Sequence, residues 1–149
     1  MIAMTRRKGD TFAKSVAFRP VVQEFLDEMA AALTSGDGKA AADLWSLPAL
    51  IVTDAGVEPV DTVRQLEEMF GGAKEQYNAR GITDTRGEIE DVEWLTEMIV
   101  RVDVRWPWLD KNGEEQGSES SSYVLRRGDD GRLRMHVAVM RGTEDVNEG

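Results

Sequence analysis

No cysteine occurs anywhere in the 149 residues, which excludes disulfides, thiolate nucleophiles and metal sites built on sulfur. Histidine is nearly as scarce. His136 stands alone, so a multi-histidine metal centre is excluded and a serine nucleophile has a single imidazole to serve as base. Ser118 and Ser120 to Ser122 therefore read as strand residues, and neither a metal nor a cofactor is expected. Cations are outnumbered, 18 against 28 acids, for a net charge of −10. Such a surface repels phosphate backbones, so nucleic acid is not an expected partner. No stretch approaches the roughly 18 consecutive apolar residues of a membrane-spanning helix. Thr5 to Lys14 is too polar for the apolar core of a signal peptide. Together with the absent cysteines, these gaps predict a cytoplasmic location.

What is present divides into two patterns. The first twenty residues hold five cations (Arg6, Arg7, Lys8, Lys14, Arg19) and one acid, a net +4 arm on a body carrying −14. Residues 1–19 are expected to be a disordered basic arm, or a docking arm for an acidic surface. Pro20 suits the first turn of a helix. Val22, Phe25, Leu26, Met29 and Leu33 then form a helical stripe that stops at Gly36 and Gly38. A second helix is expected over Lys39–Ser46, ended by Pro48, and a short strand over Ala49–Asp54, with Val57–Val60 pairing back. Thr62 and Gln65 have capping-box spacing. They open a third helix with Val63, Leu66, Met69, Phe70, Ala73 and Tyr77 on one face, weakened at Gly71-Gly72 and stopped at Gly81.

From Thr85 onward the pattern changes to period two. Four strands are expected: Arg86–Leu95, Met98–Leu109, Gly117–Arg127 and one from Leu133. Asp110–Gly113 and Gly128–Gly131 supply the last two hairpin turns. Alternation places Val100, Val102, Val104 and Trp106 inside, with Arg101, Asp103 and Arg105 outside as a cross-strand ion ladder or dimer contact. In the last strand it puts Leu133, Met135, Val137 and Val139 on one face. Arg134, His136, Ala138 and Met140 take the other. Residues 143–149 are expected to form a frayed acidic tail, leaving 20–142 as one domain.

Phe25–Leu33, Asp61–Tyr77, Val92–Trp108 and Tyr123–Met140 carry an element order that resembles the nuclear transport factor 2-like (NTF2-like) superfamily, its SnoaL-like branch in particular. The resemblance spans roughly Pro20 to Gly142. It implies an α+β, cystatin-like cone: three N-terminal helices packed in a curved antiparallel sheet around a pocket, and a homodimer. Members include isomerases, dehydratases and epoxide hydrolases as well as proteins without catalysis, so fold alone does not give function.

The motifs that would name a chemistry fail. Gly36-Asp-Gly-Lys39 lacks the first glycine of a phosphate loop, since Leu33 stands there. Asp110-Lys-Asn-Gly113 brings its glycine too early for a calcium loop. Three readings stay open. One is a small organic ligand in an apolar pocket, with Trp45, Tyr77, Trp94 and Tyr123 among its walls. A second is acid–base catalysis by Asp54 or Glu119, with Tyr77 or Tyr123 as hydrogen-bond donor, in the manner the resemblance to ketosteroid isomerase-like members implies. The third is an interaction module with a filled interior. Glu119, Ser121 and Tyr123 alternate together and would be the best polar lining the sheet offers.

Overall fold

In the computed structural model, which describes residues 8–145 and the side chains of residues 19–145, the first apolar stripe lies on helix α1 (Lys8–Ser35). Val22, Phe25, Leu26 and Met29 are buried there, as their spacing requires. The helix starts twelve residues before the expected position, so Pro20 lies inside it rather than in its first turn. Asp10 to Arg19 holds no glycine or proline, and the helix tolerates the one N–H that Pro20 withholds. Lys8–Arg19 are thus helical rather than a disordered arm, while residues 1–7 lie outside the described residues.

The second helix is shorter than expected. Helix α2 (Gly38–Ala42), capped by the Asp37 carboxylate on the Lys39 and Ala40 amides, gives way to strand β1 (Trp45–Thr53). Pro48 therefore sits in a strand, within the stretch where the β1 register shifts, a position that asks no ladder hydrogen bond of it. Strand β2 (Gly56–Val60) pairs back on β1. Helix α3 (Val63–Ala79) opens with the expected box: Thr62 Oγ1 accepts from the Gln65 amide at 3.2 Å, and Gln65 Oε1 accepts from the Thr62 amide at 2.9 Å. It runs through Gly71-Gly72 to Ala79.

Five strands follow rather than four. Strand β3 (Ile82–Thr85) is too short to show a period. It shares an edge of β5 (Ile99–Asp110) with β4 (Glu88–Trp94): β3 pairs with the end of β5 and β4 with its start. Strands β6 (Glu115–Arg127) and β7 (Leu133–Asp145) complete a sheet ordered β2-β1-β7-β6-β5-β3. The sheet is mixed rather than wholly antiparallel, because β1 joins β7 in parallel. Residues 143–145 are strand rather than frayed tail, since Gly117 pairs with Asp145, and residues 146–149 lie outside the described residues.

Period two holds along β5, where Val100, Val102, Val104 and Trp106 are buried. It breaks once inside the apolar part of β7. Leu125 faces Met135 while Val124 faces Val137, which leaves His136 as an extra residue, a β-bulge. Beyond it the faces exchange. Ala138 and Met140 join Leu133 and Met135 on the inner face, and Val137 and Val139 turn outward, the reverse of the expected assignment.

Helix α2 packs on α3 at Gly38, where an added Cβ would stand 2.2 Å from the Glu67 Cα. Gly71 has open space around it. Gly38→Ala is expected to cost about 1–3 kcal/mol by overpacking, whereas Gly71→Ala gains about 0.5–1 kcal/mol of helix propensity. Urea unfolding of the two variants checks this; equal effects would contradict the close α2–α3 contact.

Candidate functional site

The inner face of β6 becomes more polar toward the strand's start: Leu125, Tyr123, Ser121, then Glu119. Each lies opposite an inward residue of β5, with Val100, Val102, Val104 and Trp106 as the respective partners. Leu125 and Tyr123 are buried, so alternation carries Ser121 and Glu119 inward with them. Trp106 Nε1 donates to the Tyr123 hydroxyl at 2.8 Å, and the two rings meet edge-on with centroids 6.5 Å apart.

Between this face and the helices lies a cavity of about 170 Å³. Its floor is Glu119, Ser121 and Tyr123 of β6 with Met135, Ala138 and Met140 of β7. Helix α1 supplies Met29 and Leu33, β1 supplies Trp45, and α3 supplies Met69, Phe70, Ala73 and Tyr77. Both contributing β7 residues beyond His136 face inward only because of the bulge.

The polar centre of this wall is a pair. Tyr77 Oη donates to Glu119 Oε1 at 2.9 Å. Burial pushes the Glu119 carboxyl above its ordinary range, and the hydrogen bond from Tyr77 and the nearby Trp108 indole only partly oppose it. Trp108 Nε1 makes no hydrogen bond of good geometry, so its hold on Glu119 is a near approach rather than a formed bond. Trp108 can lie there because Gly117 faces it: a Cβ at Gly117 would come within 2.8 Å of the indole ring. The Tyr77 hydroxyl is itself driven far above the usual phenol range, first by burial and then by the Glu119 charge. Burial also pushes Tyr123 up to about 12. At the outer end, the Arg80 guanidinium lies 4.7 Å over the Trp108 ring and pairs with Asp145 at 3.0 Å.

Of the residues singled out from sequence, Glu119, Tyr77, Tyr123 and Trp45 meet at this cavity. Asp54 does not: it is exposed on the β1–β2 turn, outside the cavity wall. Trp94 is buried but elsewhere, opposite Val100 at the far end of the β4–β5 hairpin, with Arg127 stacked over its ring at 5.3 Å. None of the four methionines of the wall was among the expected pocket residues, and Met135 was legible only as strand alternation. Met29 and Met69 were legible only as helix stripe, and the bulge hid Met140.

The outward row forms ion pairs. Arg101 bridges Asp91 and Asp103, Asp103 also accepts from Ser122, and Arg105 bridges Glu88 and Glu115. These pairs are partly exposed, and each is worth only about 0–1 kcal/mol. His136, half-buried on the same side, has its pKa lowered by burial and then by Arg126. Among the described residues no three acidic or histidine side chains gather to hold a metal, and no helix is long and apolar enough to cross a membrane.

A family profile described as NTF2-like protein (DUF6841) matches residues 17–143. The chain belongs to this NTF2-like family. Solved structures agree on the fold. A cystatin-like domain of unknown function from Nostoc punctiforme is 18% identical, with a TM-score of 0.64 over 83% of this chain and 76% of that one. An NTF2-like protein of unknown function from Shewanella oneidensis is 13% identical, with a TM-score of 0.61 over 82% and 97%. Another, from Silicibacter pomeroyi, is 17% identical, with a TM-score of 0.61 over 88% and 98%. No curated protein matches the chain in sequence.

Because Glu119 titrates above its ordinary range in the folded state, the native protein binds its proton more tightly than the unfolded chain does. Its ionisation therefore subtracts stability as pH rises from the unfolded carboxylate pKa of about 4.3 through the folded value. Glu119→Gln, which cannot ionise, is expected to gain stability relative to the parent across that window. Urea unfolding at a series of pH values measures the difference, and a flat one would show an unperturbed carboxyl.

Proposed function

We propose that this NTF2-like protein binds a small, mainly apolar organic ligand in the cavity between α1, α3 and the sheet, with Glu119 and Tyr77 as the polar contacts. The observation that carries this reading is the Tyr77–Glu119 hydrogen bond at the wall of an otherwise aromatic and methionine-rich cavity. A few convergent polar groups in an apolar hollow are what ligand sites have in common. The volume, about 170 Å³, falls below the ~300 Å³ at which drug-sized sites begin, which limits a ligand to one ring or a short chain and is the observation that favours the interaction-module reading instead. The helix–hairpin–helix order followed by a long meander supports placement in the SnoaL-like branch, and the cysteine-free sequence supports a cytoplasmic protein.

A second reading rests on one feature of the same pair. A buried carboxyl with a raised pKa beside a tyrosine hydroxyl is suited to moving a proton next to a carbonyl, as in a cofactor-independent isomerase, dehydratase or hydrolase. In that case Glu119→Gln keeps ligand binding and loses turnover. Pure binding predicts no turnover in either protein.

Screening small organic molecules by amide chemical shifts tests the cavity. Perturbations are expected to cluster at Tyr77, Glu119, Tyr123 and Met135, and to vanish in Ala73→Trp, whose ring fills the space. Shifts that persist in Ala73→Trp would place binding elsewhere.

The uncovered face of the sheet supports a homodimer. Register sets Leu50 beside Pro59 and Val137, Val52 beside Val57 and Val139, and Val137 beside Val124. Leu50 is 41% exposed and Val57 61%, an apolar strip bordered by the internally paired ions of β4 and β5. Sedimentation is expected to give twice the 16.6 kDa chain mass, and Val137→Glu a monomer. A monomeric parent protein would remove the proposal.

A further inference from the structure

We infer that the ligand of this cavity is an organic ammonium ion, a primary amine on a small apolar body, with its N–H donors on the Glu119 carboxylate and its carbon part among the aromatic rings. The inference rests on the cavity reading above and names the chemical class of the occupant.

Charge comes first. Glu119 is the one acidic side chain in the cavity wall, and no lysine, arginine or histidine lines it. The cations nearest in the chain are engaged outside. Arg80 pairs with Asp145, stacks on Trp108 and acts on the Tyr77 hydroxyl, but it does not line the cavity. Lys74 lines a neighbouring crevice that shares Leu33 and Tyr77 with the cavity, and it packs against Gly36. An anionic ligand would meet a carboxylate and no counter-charge. A neutral ligand would leave that carboxylate as unbalanced as before. A cation supplies what the wall lacks.

Hydrogen bonding points the same way. A carboxylate offers about four acceptor positions, and Tyr77 fills one at 2.9 Å. Trp108 approaches without a bond of good geometry. The remaining acceptor capacity calls for a ligand rich in donors, and an ammonium group has three. The Tyr123 oxygen already accepts from Trp106. Trp45, Phe70, Tyr77 and Tyr123 surround the hollow, and π faces attract a cation through their quadrupole. Methionine sulfurs add a polarizable lining that fits irregular carbon skeletons. The net charge of −10 also raises the local concentration of cations around the molecule.

The site's own titration supports the geometry. Burial holds the Glu119 carboxyl above its ordinary range, and no cationic side chain opposes it. The titratable and charged groups around it are Tyr77 and, past the end of α3, Arg80; Tyr123 comes from β6. Strand β7 adds Asp145, paired with Arg80, while the residues that α1 and β1 contribute to the cavity wall carry no charge. A bound ammonium would therefore pull the Glu119 pKa down.

Four one-ring probes test the class: benzylamine, its isostere benzyl alcohol, toluene and benzoate, titrated into the protein by NMR at pH values on both sides of the Glu119 transition. Benzylamine is expected to bind about tenfold or more tightly than benzyl alcohol, to tighten as pH rises through that transition, and to lose this advantage in Glu119→Gln. Should that variant fail to fold, the Glu119 carboxyl resonance of the parent protein serves instead, its pKa falling when benzylamine is bound. Equal or tighter binding of benzyl alcohol or toluene overturns the ammonium assignment and leaves the cavity reading intact. Benzoate binding most tightly overturns it as well. Absence of cavity shifts with every probe overturns both.

Discussion

Burial of Leu125 and Tyr123 against the core forces Glu119 to the same face of β6, because successive side chains of a strand alternate and a slip would expose the whole set. The fold cannot bury that part of the strand without also carrying a carboxylate inward. It accommodates the group in the cavity wall, where Tyr77 from α3 reaches across to donate a hydrogen bond. An unpaired carboxylate there would cost several kcal/mol. One neutral hydrogen bond reduces that cost without removing it, and the raised pKa is the remainder.

The surrounding elements are arranged around this point. The capping box fixes where α3 begins and hence the phase of Phe70, Ala73 and Tyr77 along the cavity. Gly117 lets the Trp108 indole cross to Glu119. The bulge at His136 turns Ala138 and Met140 inward to finish the floor, and in the same stroke turns Val137 and Val139 out to the uncovered face. Cavity and proposed dimer surface thus share one irregularity.

Much of this was legible in the sequence. Val100, Val102, Val104 and Trp106 alternate too regularly to be read otherwise, and Glu119, Ser121 and Tyr123 follow by the same period. The Thr62–Gln65 spacing fixed the start of α3. Single-residue irregularities were not legible. His136 reads as an ordinary alternating residue, since only pairing across β6 reveals the extra position. Ile82–Thr85 is too short to show a period, and its strand exists because the end of β5 offers an open edge. Pro20 and Pro48 looked like punctuation, yet one lies within a helix and the other in a strand. Asp54 and Trp94 were attractive by residue type alone; the β1–β2 turn and the β4–β5 register take them away from the cavity.

Glu119 is thus a desolvated carboxyl held by Tyr77 at a cavity wall. A carbon-13 NMR titration of its side-chain carboxyl measures this directly. A pKa above the ordinary glutamate value of about 4.3 is expected, rising further in Tyr77→Phe, where the hydrogen bond that stabilises the ionised form is gone. A value at or below the ordinary one, unchanged in Tyr77→Phe, would contradict it.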